Sequence, residues 1–163
     1  MGEIPPITDI KLPLQKIAEA LTIVYPACKQ GLEMECGDGN RLRVIRQRNQ
    51  NVWGIDSKDR SSDWKKNKVE MYCRHIKPLD MHYKEDSFDC IMWDEKRPNI
   101  SKKDLKIIFG HIKRICSFRA YICLPASKER DLGWWARLFL DCDLAVECIS
   151  KSRSNEMVAE LLC

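Results

Sequence analysis

Two hydrophobic periods alternate along the chain. Short apolar runs of strand-like composition are followed repeatedly by stretches whose apolar residues recur every third or fourth position. Pro5, Pro6 and Pro13 make residues 1–13 an extended arm. "LQKIAEALTIVY" then places Leu14, Ile17, Ala18 and Leu21 on one face, predicting an amphipathic helix that ends near Pro26. "GLEMEC" predicts a short strand that runs into Gly37-Asp38-Gly39, and "NRLRVIRQRNQ" a basic helix with Leu42, Val44 and Ile45 inward. "NVWGID" is the next strand, stopping on Asp56; "SKDRSSDWKKNK" is a loop with a weak helix; "VEMYC" is a third strand; "HIKPLDMHYKEDS" is a loop.

The second half continues the alternation. "FDCIMW" predicts a buried strand and "SKKDLKIIFGHIKRIC" a helix with the stripe Leu105, Ile108, Phe109 and Ile112, begun by a capping pair of Ser101 and Asp104. "FRAYICLP" is a strand closed by Pro125, and "LGWWARLFLDC" a helix in which one of Trp134 and Trp135 is core and the other partly exposed. The chain closes on two successive strands, "LAVECIS" and "EMVAELL", joined by the polar turn "KSRSN". Strand–helix alternation ending in a hairpin predicts an α/β protein: a mostly parallel sheet of seven strands, helices on both faces, and an antiparallel edge. Residues 14–163 read as one domain.

Composition narrows this only slightly. A charged fraction of 32% with 44% apolar residues is that of an ordinary globular chain, and the net charge of +4 is too small for a nucleic-acid footprint. The arginines of "RLRVIRQR" and the lysines of "DWKKNK" read as solvated faces, so nucleic acid has little support as a partner. The nine cysteines contain no C-x-x-C pair and no zinc-like spacing, which predicts buried, reduced thiols, Cys90, Cys123 and Cys148 among them, in an intracellular protein. The N-terminus lacks a secretory pattern, and Pro6 stands where a myristoylation motif needs Ser or Thr. No apolar run approaches the roughly 18 residues of a membrane span. A cytoplasmic or nuclear protein is expected, not a secreted or membrane one.

From Leu14 to Leu162, the order of elements and four short motifs resemble the class I S-adenosylmethionine-dependent methyltransferases, whose fold is a Rossmann-like seven-stranded sheet ending in an antiparallel hairpin. In "LEMECGDGN", Glu33, Gly37 and Gly39 match the family's acidic residue and spaced glycines, while Glu35 stands where the family has glycine, to clash with a cofactor or to engage its amino group. Asp56 matches the acid at the end of the second strand that takes the ribose hydroxyls, at the separation from Glu33 expected of a nucleotide-binding unit. Alone, it would read as a helix cap. His75, with Ile76 next, occupies the place of an adenine-contacting acid. "DSFDCIMWDEKRP" matches the fourth strand, so Met92, Trp93 and Asp94 would border the site, with Asp89 fixing the strand start.

The resemblance implies S-adenosylmethionine as cofactor and methyl transfer to an unknown acceptor as the reaction. Such an in-line displacement needs alignment first, and a base only if the acceptor must lose a proton. Asp94 and Glu95 are the candidates for that base, with His82 behind them. Asp94 also sits in the metal position of catechol-type relatives, but "YICLPASK" lacks their Asp-Asn pair, so no metal is expected. An oxidoreductase would need a third glycine where Leu42 stands. The non-enzyme alternative is a methyltransferase-like domain that has lost catalysis and acts as a binding or scaffolding subunit. It draws on Glu35, on His75, and on the missing glycine pair in "CSFRAYI". The chain offers little room for a substrate lid, which points to an open acceptor face or to a protein partner completing the site.

Overall fold

The computed structural model describes residues 29–47, 51–95, 99–151 and 156–163. Seven strands form one sheet: β1 Gln30–Met34, β2 Asn51–Asp56, β3 Cys73–His75, β4 Phe88–Asp94, β5 Cys116–Pro125, β6 Ala145–Lys151 and β7 Glu156–Leu162. Their order across the sheet is β3-β2-β1-β4-β5-β7-β6. The pairings from β3 to β5 are parallel, and β7 is antiparallel to both β5 and β6. The expected α/β class, the mostly parallel sheet and the antiparallel C-terminal strands are all present. The expected arm over 1–13, the helix from Leu14 and the turn 152–155 lie outside the described residues.

Among the described residues, four α-helices accompany the strands: α1 Asn40–Arg46, α2 Ser61–Lys66, α3 Lys102–Ile115 and α4 Leu132–Asp141. Helix α3 starts where Ser101 accepts the Asp104 N–H at 3.0 Å, and α4 where Asp131 accepts that of Trp134 at 2.8 Å; each such cap contributes about 1 kcal/mol. Leu105, Ile108, Phe109 and Ile112 of α3, with Trp135, Leu138 and Phe139 of α4, bury one sheet face through Leu32, Met34, Ile91, Trp93, Ile122 and Leu161. Burying each of these large side chains is worth roughly 2 kcal/mol. Leu42, Ile45 and Trp64 of the shorter α1 and α2 cover Cys36, Val52, Val69 and Cys73 on the other face. Trp135 is core and Trp134 half-buried, as expected.

Two local expectations fail. "VEMYC" is not a strand throughout: residues 70–72 form a turn and only Cys73–His75 pair with β2. Val69 is held back by its N–H bond to Trp64 O, which closes the end of α2. The reading of buried, reduced thiols fails at Cys90, which is disulfide-bonded, and at Cys148, which is exposed; the other described cysteines form no disulfide. Asp89, inside β4, holds the starts of its neighbours: Oδ2 accepts the N–H groups of Lys29 and Gln30 at β1, and Oδ1 meets Ser117 Oγ at β5.

Candidate functional site

Strand order reverses between β1 and β4, whose chain neighbours lie on opposite sides of the pair. In open α/β sheets the crevice beyond the strand C-termini at such a reversal is where ligands bind. The corner 35–39 lies there. Gly37 and Gly39 adopt φ of 59° and 80°. A Cβ on Gly39 would lie 2.5 Å from Val69 Cγ2, so both its conformation and its space demand glycine. Trp64 Nε1 donates to Gly37 O at 2.9 Å and Asn67 to Asp38 O at 2.8 Å, which tie the corner to α2.

Asp56, 2% exposed, ends β2 directly beside this corner. Its Oδ2 accepts the Gly37 N–H at 2.9 Å, its Oδ1 accepts the Lys58 N–H at 2.8 Å, and Arg60 Nε stands 3.4 Å away. A carboxylate offers about four lone-pair positions, so acceptor capacity is left for ligand hydroxyls.

Glu35 occupies its position at a cost. Its φ is 56°, a left-handed conformation that a Cβ makes unfavourable. The half-buried side chain crosses to the end of β2, where it accepts from Ser57 Oγ at 2.9 Å and more weakly from Ser57 N at 3.4 Å. Burial pushes its carboxyl up, against the pull of the Ser57 hydroxyl. His75 Nε2 meets Ser57 O at 3.1 Å from the exposed end of β3, so Ser57 links Glu35 to His75.

Glu33, fully buried, pairs with Arg41 Nε, and Arg41 Nη1 reaches Asp94 Oδ2 at 3.5 Å. Burial pushes the Glu33 carboxyl up, against the pull of Arg41. Burial works against the charge of Arg41 too, yet Glu33 and Asp94 hold it above the usual arginine value. The guanidinium therefore fastens the end of β1 to the end of β4.

Side chains alternate along β4. Met92, half-buried, packs with the cluster under α1 and α2. Trp93 points to the opposite face, 1% exposed and edge-on to Phe109 at 5.8 Å. Ile76, half-buried, packs against the core under α3 and α4. Glu95 is 4% exposed and its N–H bonds Cys123 O at 3.0 Å. His82 is exposed. The structure thus gathers Glu33, Glu35, Gly37, Asp56, His75 and Asp94 at one end of the sheet and places Trp93 in the core. Asp94, Cys123 and Glu156 each bring a donor atom within 4.8 Å of the others, a mixed thiol and carboxylate set of metal-ligating type.

Beside the corner is a cleft of about 720 Å³, in the range of small-molecule sites. Ser57 and Lys58 after β2, Pro78 and Leu79 after β3, and Ile100 and Ile108 at α3 line it. Nothing in the sequence pattern points to Arg41, Ser57 or the Pro78–Ile108 wall. Arg41 reads as one of several arginines on a polar face, and the wall joins segments that are far apart in the chain.

No family model and no curated protein matches the chain. Solved structures do. A magnesium protoporphyrin IX methyltransferase from Synechocystis PCC 6803, with bound S-adenosylmethionine, superposes with a TM-score of 0.69 at 13% identity, over 99% of this chain and 86% of that one. A TehB-like S-adenosylmethionine-dependent methyltransferase from Corynebacterium glutamicum gives 0.69 at 18% identity, over 88% and 85%. A Burkholderia thailandensis 1,6-didemethyltoxoflavin-N1-methyltransferase, with bound 1,6-didemethyltoxoflavin and S-adenosylhomocysteine, gives 0.72 at 10%, over 91% and 77%. The chain therefore has the fold of the class I S-adenosylmethionine-dependent methyltransferases.

Proposed function

We propose that the protein binds S-adenosylmethionine at the ends of β1 and β2 and transfers its methyl group to a small acceptor. The observation that carries this reading is the contact of Gly37 N–H with the Asp56 carboxylate: a side-chain-free corner and an acid lie side by side at the sheet's reversal point. The residues present fit such a cofactor. The remaining acceptor positions of Asp56 suit ribose hydroxyls, and the cleft walled by Pro78, Leu79, Ile100 and Ile108 suits a flat, weakly polar base. Bound there, the cofactor supplies a methyl group already activated on a sulfonium. The chain's task is then alignment and exclusion of water. Arg41 holds Glu33 and Asp94 in place, and Asp94, half-buried at the end of β4, is the carboxylate assigned to take a proton from the acceptor. Glu95 is more deeply enclosed and suits this less. The acceptor enters as a small molecule, by analogy with the ligand bound to the Burkholderia enzyme. No described helix is long and apolar enough to cross a membrane, and a cytoplasmic or nuclear setting belongs to this reading.

One observation favours the second reading, a domain of this fold that binds without catalysing. Glu35 closes part of the seam between β1 and β2 by reaching Ser57. Calorimetry separates the two. Micromolar binding of S-adenosylmethionine and S-adenosylhomocysteine, abolished by Asp56→Ala in a variant that still melts cooperatively, supports the enzyme. No heat at millimolar ligand overturns it in favour of the binding domain.

A further inference from the structure

Two of the free thiols lie behind the glycine corner. Cys36 follows β1 and Cys73 opens β3, with β2 running between them. Strands two places apart in a sheet are roughly 9.5 Å apart, too far for a disulfide, whose Cα atoms lie within about 7 Å. Two features remove that separation. The turn past β1 swings Cys36 over β2, and the residue of β2 in register with Cys73 is Gly54. A Cβ on Gly54 would lie 2.8 Å from Cys36 Sγ and 3.1 Å from Cys36 Cβ. The Cys36 thiol thus fills the space that the missing side chain leaves, beside the in-register Cys73 in the same buried cluster. The two residues are 5% and 2% exposed, in the small core under α1 and α2.

We propose that Cys36 and Cys73 form an oxidisable pair, converted by a hydroperoxide to a disulfide that clamps the glycine corner to β3. One thiolate attacks the peroxide, the O–O bond breaks, and the alcohol (water, from hydrogen peroxide) leaves a sulfenic acid. The second thiol attacks that sulfur, the S–S bond forms, and water departs. Two electrons pass from the thiols to the peroxide.

Access comes through the sheet edge. Strand β3 has three residues and a strand partner on one side only, so opening it costs little. The neighbouring Cys73, and burial, push the Cys36 thiol far up. The closed form is therefore protonated and unreactive, and oxidation proceeds from the opened edge. The corner feels the clamp directly, because Cys36 O accepts the Gly39 N–H at 3.2 Å.

The test needs no cofactor, so its outcome is separable from that of the proposed methyl donor. The full chain is titrated with hydrogen peroxide, blocked with iodoacetamide and digested without reductant, then mapped by mass spectrometry. A Cys116→Ser/Cys163→Ser background removes a second described pair of neighbouring thiols. The expected result is a Cys36–Cys73 linked peptide, lost on adding dithiothreitol, with amide exchange over residues 37–40 slowed at least tenfold. Cys73→Ser abolishes both. The proposal is overturned if folded protein yields Cys36 only as alkylated, singly oxidised or linked elsewhere. Linkage with unchanged exchange overturns the clamp.

Discussion

Replacing Glu35 by glycine tests most directly what this residue does. The fold itself should hardly notice. Glycine relieves a left-handed φ of 56°, worth about 1 kcal/mol. Against that, the variant loses a hydrogen bond from Ser57 Oγ at 2.9 Å and a long one from Ser57 N, about 2 kcal/mol for a charged acceptor. Glycine adds up to about 1 kcal/mol of backbone entropy, and ending the burial of a carboxylate returns part of the loss. The net change is a loss of about 1 kcal/mol. Ligand affinity should change more, because the lost side chain spans the seam between β1 and β2. Calorimetric affinity for S-adenosylhomocysteine is expected to rise about tenfold or more, which is 1.4 kcal/mol. The two ligands separate steric from electrostatic action. S-adenosylmethionine carries a sulfonium charge that its product lacks, and a carboxylate roughly 8 Å from it is worth about 2 kcal/mol at an effective dielectric of 20. Equal gains for both ligands mean that Glu35 acts by occupying space. A gain for the product alone means that its charge also holds the donor. Unchanged affinity for both places Glu35 outside the pocket and refutes the reasoning.

Arg41→Met leaves the buried Glu33 carboxylate without its cation and should cost about 3–5 kcal/mol in urea unfolding; adding Glu33→Gln should restore most of it, and a single-variant cost under about 1 kcal/mol would show that Glu33 is carried protonated. Gly39→Ala forces a Cβ to within 2.5 Å of Val69 Cγ2 at a φ of 80°, so left-handed strain and overpacking together predict a loss of about 3 kcal/mol, read as a fall in Tm; an unchanged Tm would mean that the corner relaxes freely. Glu35 also gives a pH signature. Burial raises its folded-state value above the ordinary 4.5, so its contribution is fully present below 4.5 and is lost as pH rises through the raised value. Glu35→Gln should therefore gain urea resistance relative to the parent chain between pH 4 and pH 7, and parallel curves would contradict the assigned burial.

Periodicity was a good guide to the elements because it reports which face of each segment is buried. The stripe of α3 and the alternating "EMVAELL" of β7 show this, as does Asp56 at the end of "NVWGID". It was a poor guide at "VEMYC", where composition favours a strand but the end of α2 captures Val69. The resemblance was a poor guide at Trp93, whose side chain faces the core under α3 and α4.

The sequence by itself determined the alternation of strands and helices, the closing antiparallel pair, and the glycine corner at residues 37 and 39, since these follow from patterns local to the chain. Tertiary structure decided what surrounds them. It set Asp56 against Gly37, carried Glu35 across to Ser57, used Arg41 to join Glu33 to Asp94, and laid Cys36 over Gly54 against Cys73. These pairs lie 8 to 61 positions apart by residue number, so only the register of the finished sheet brings them together.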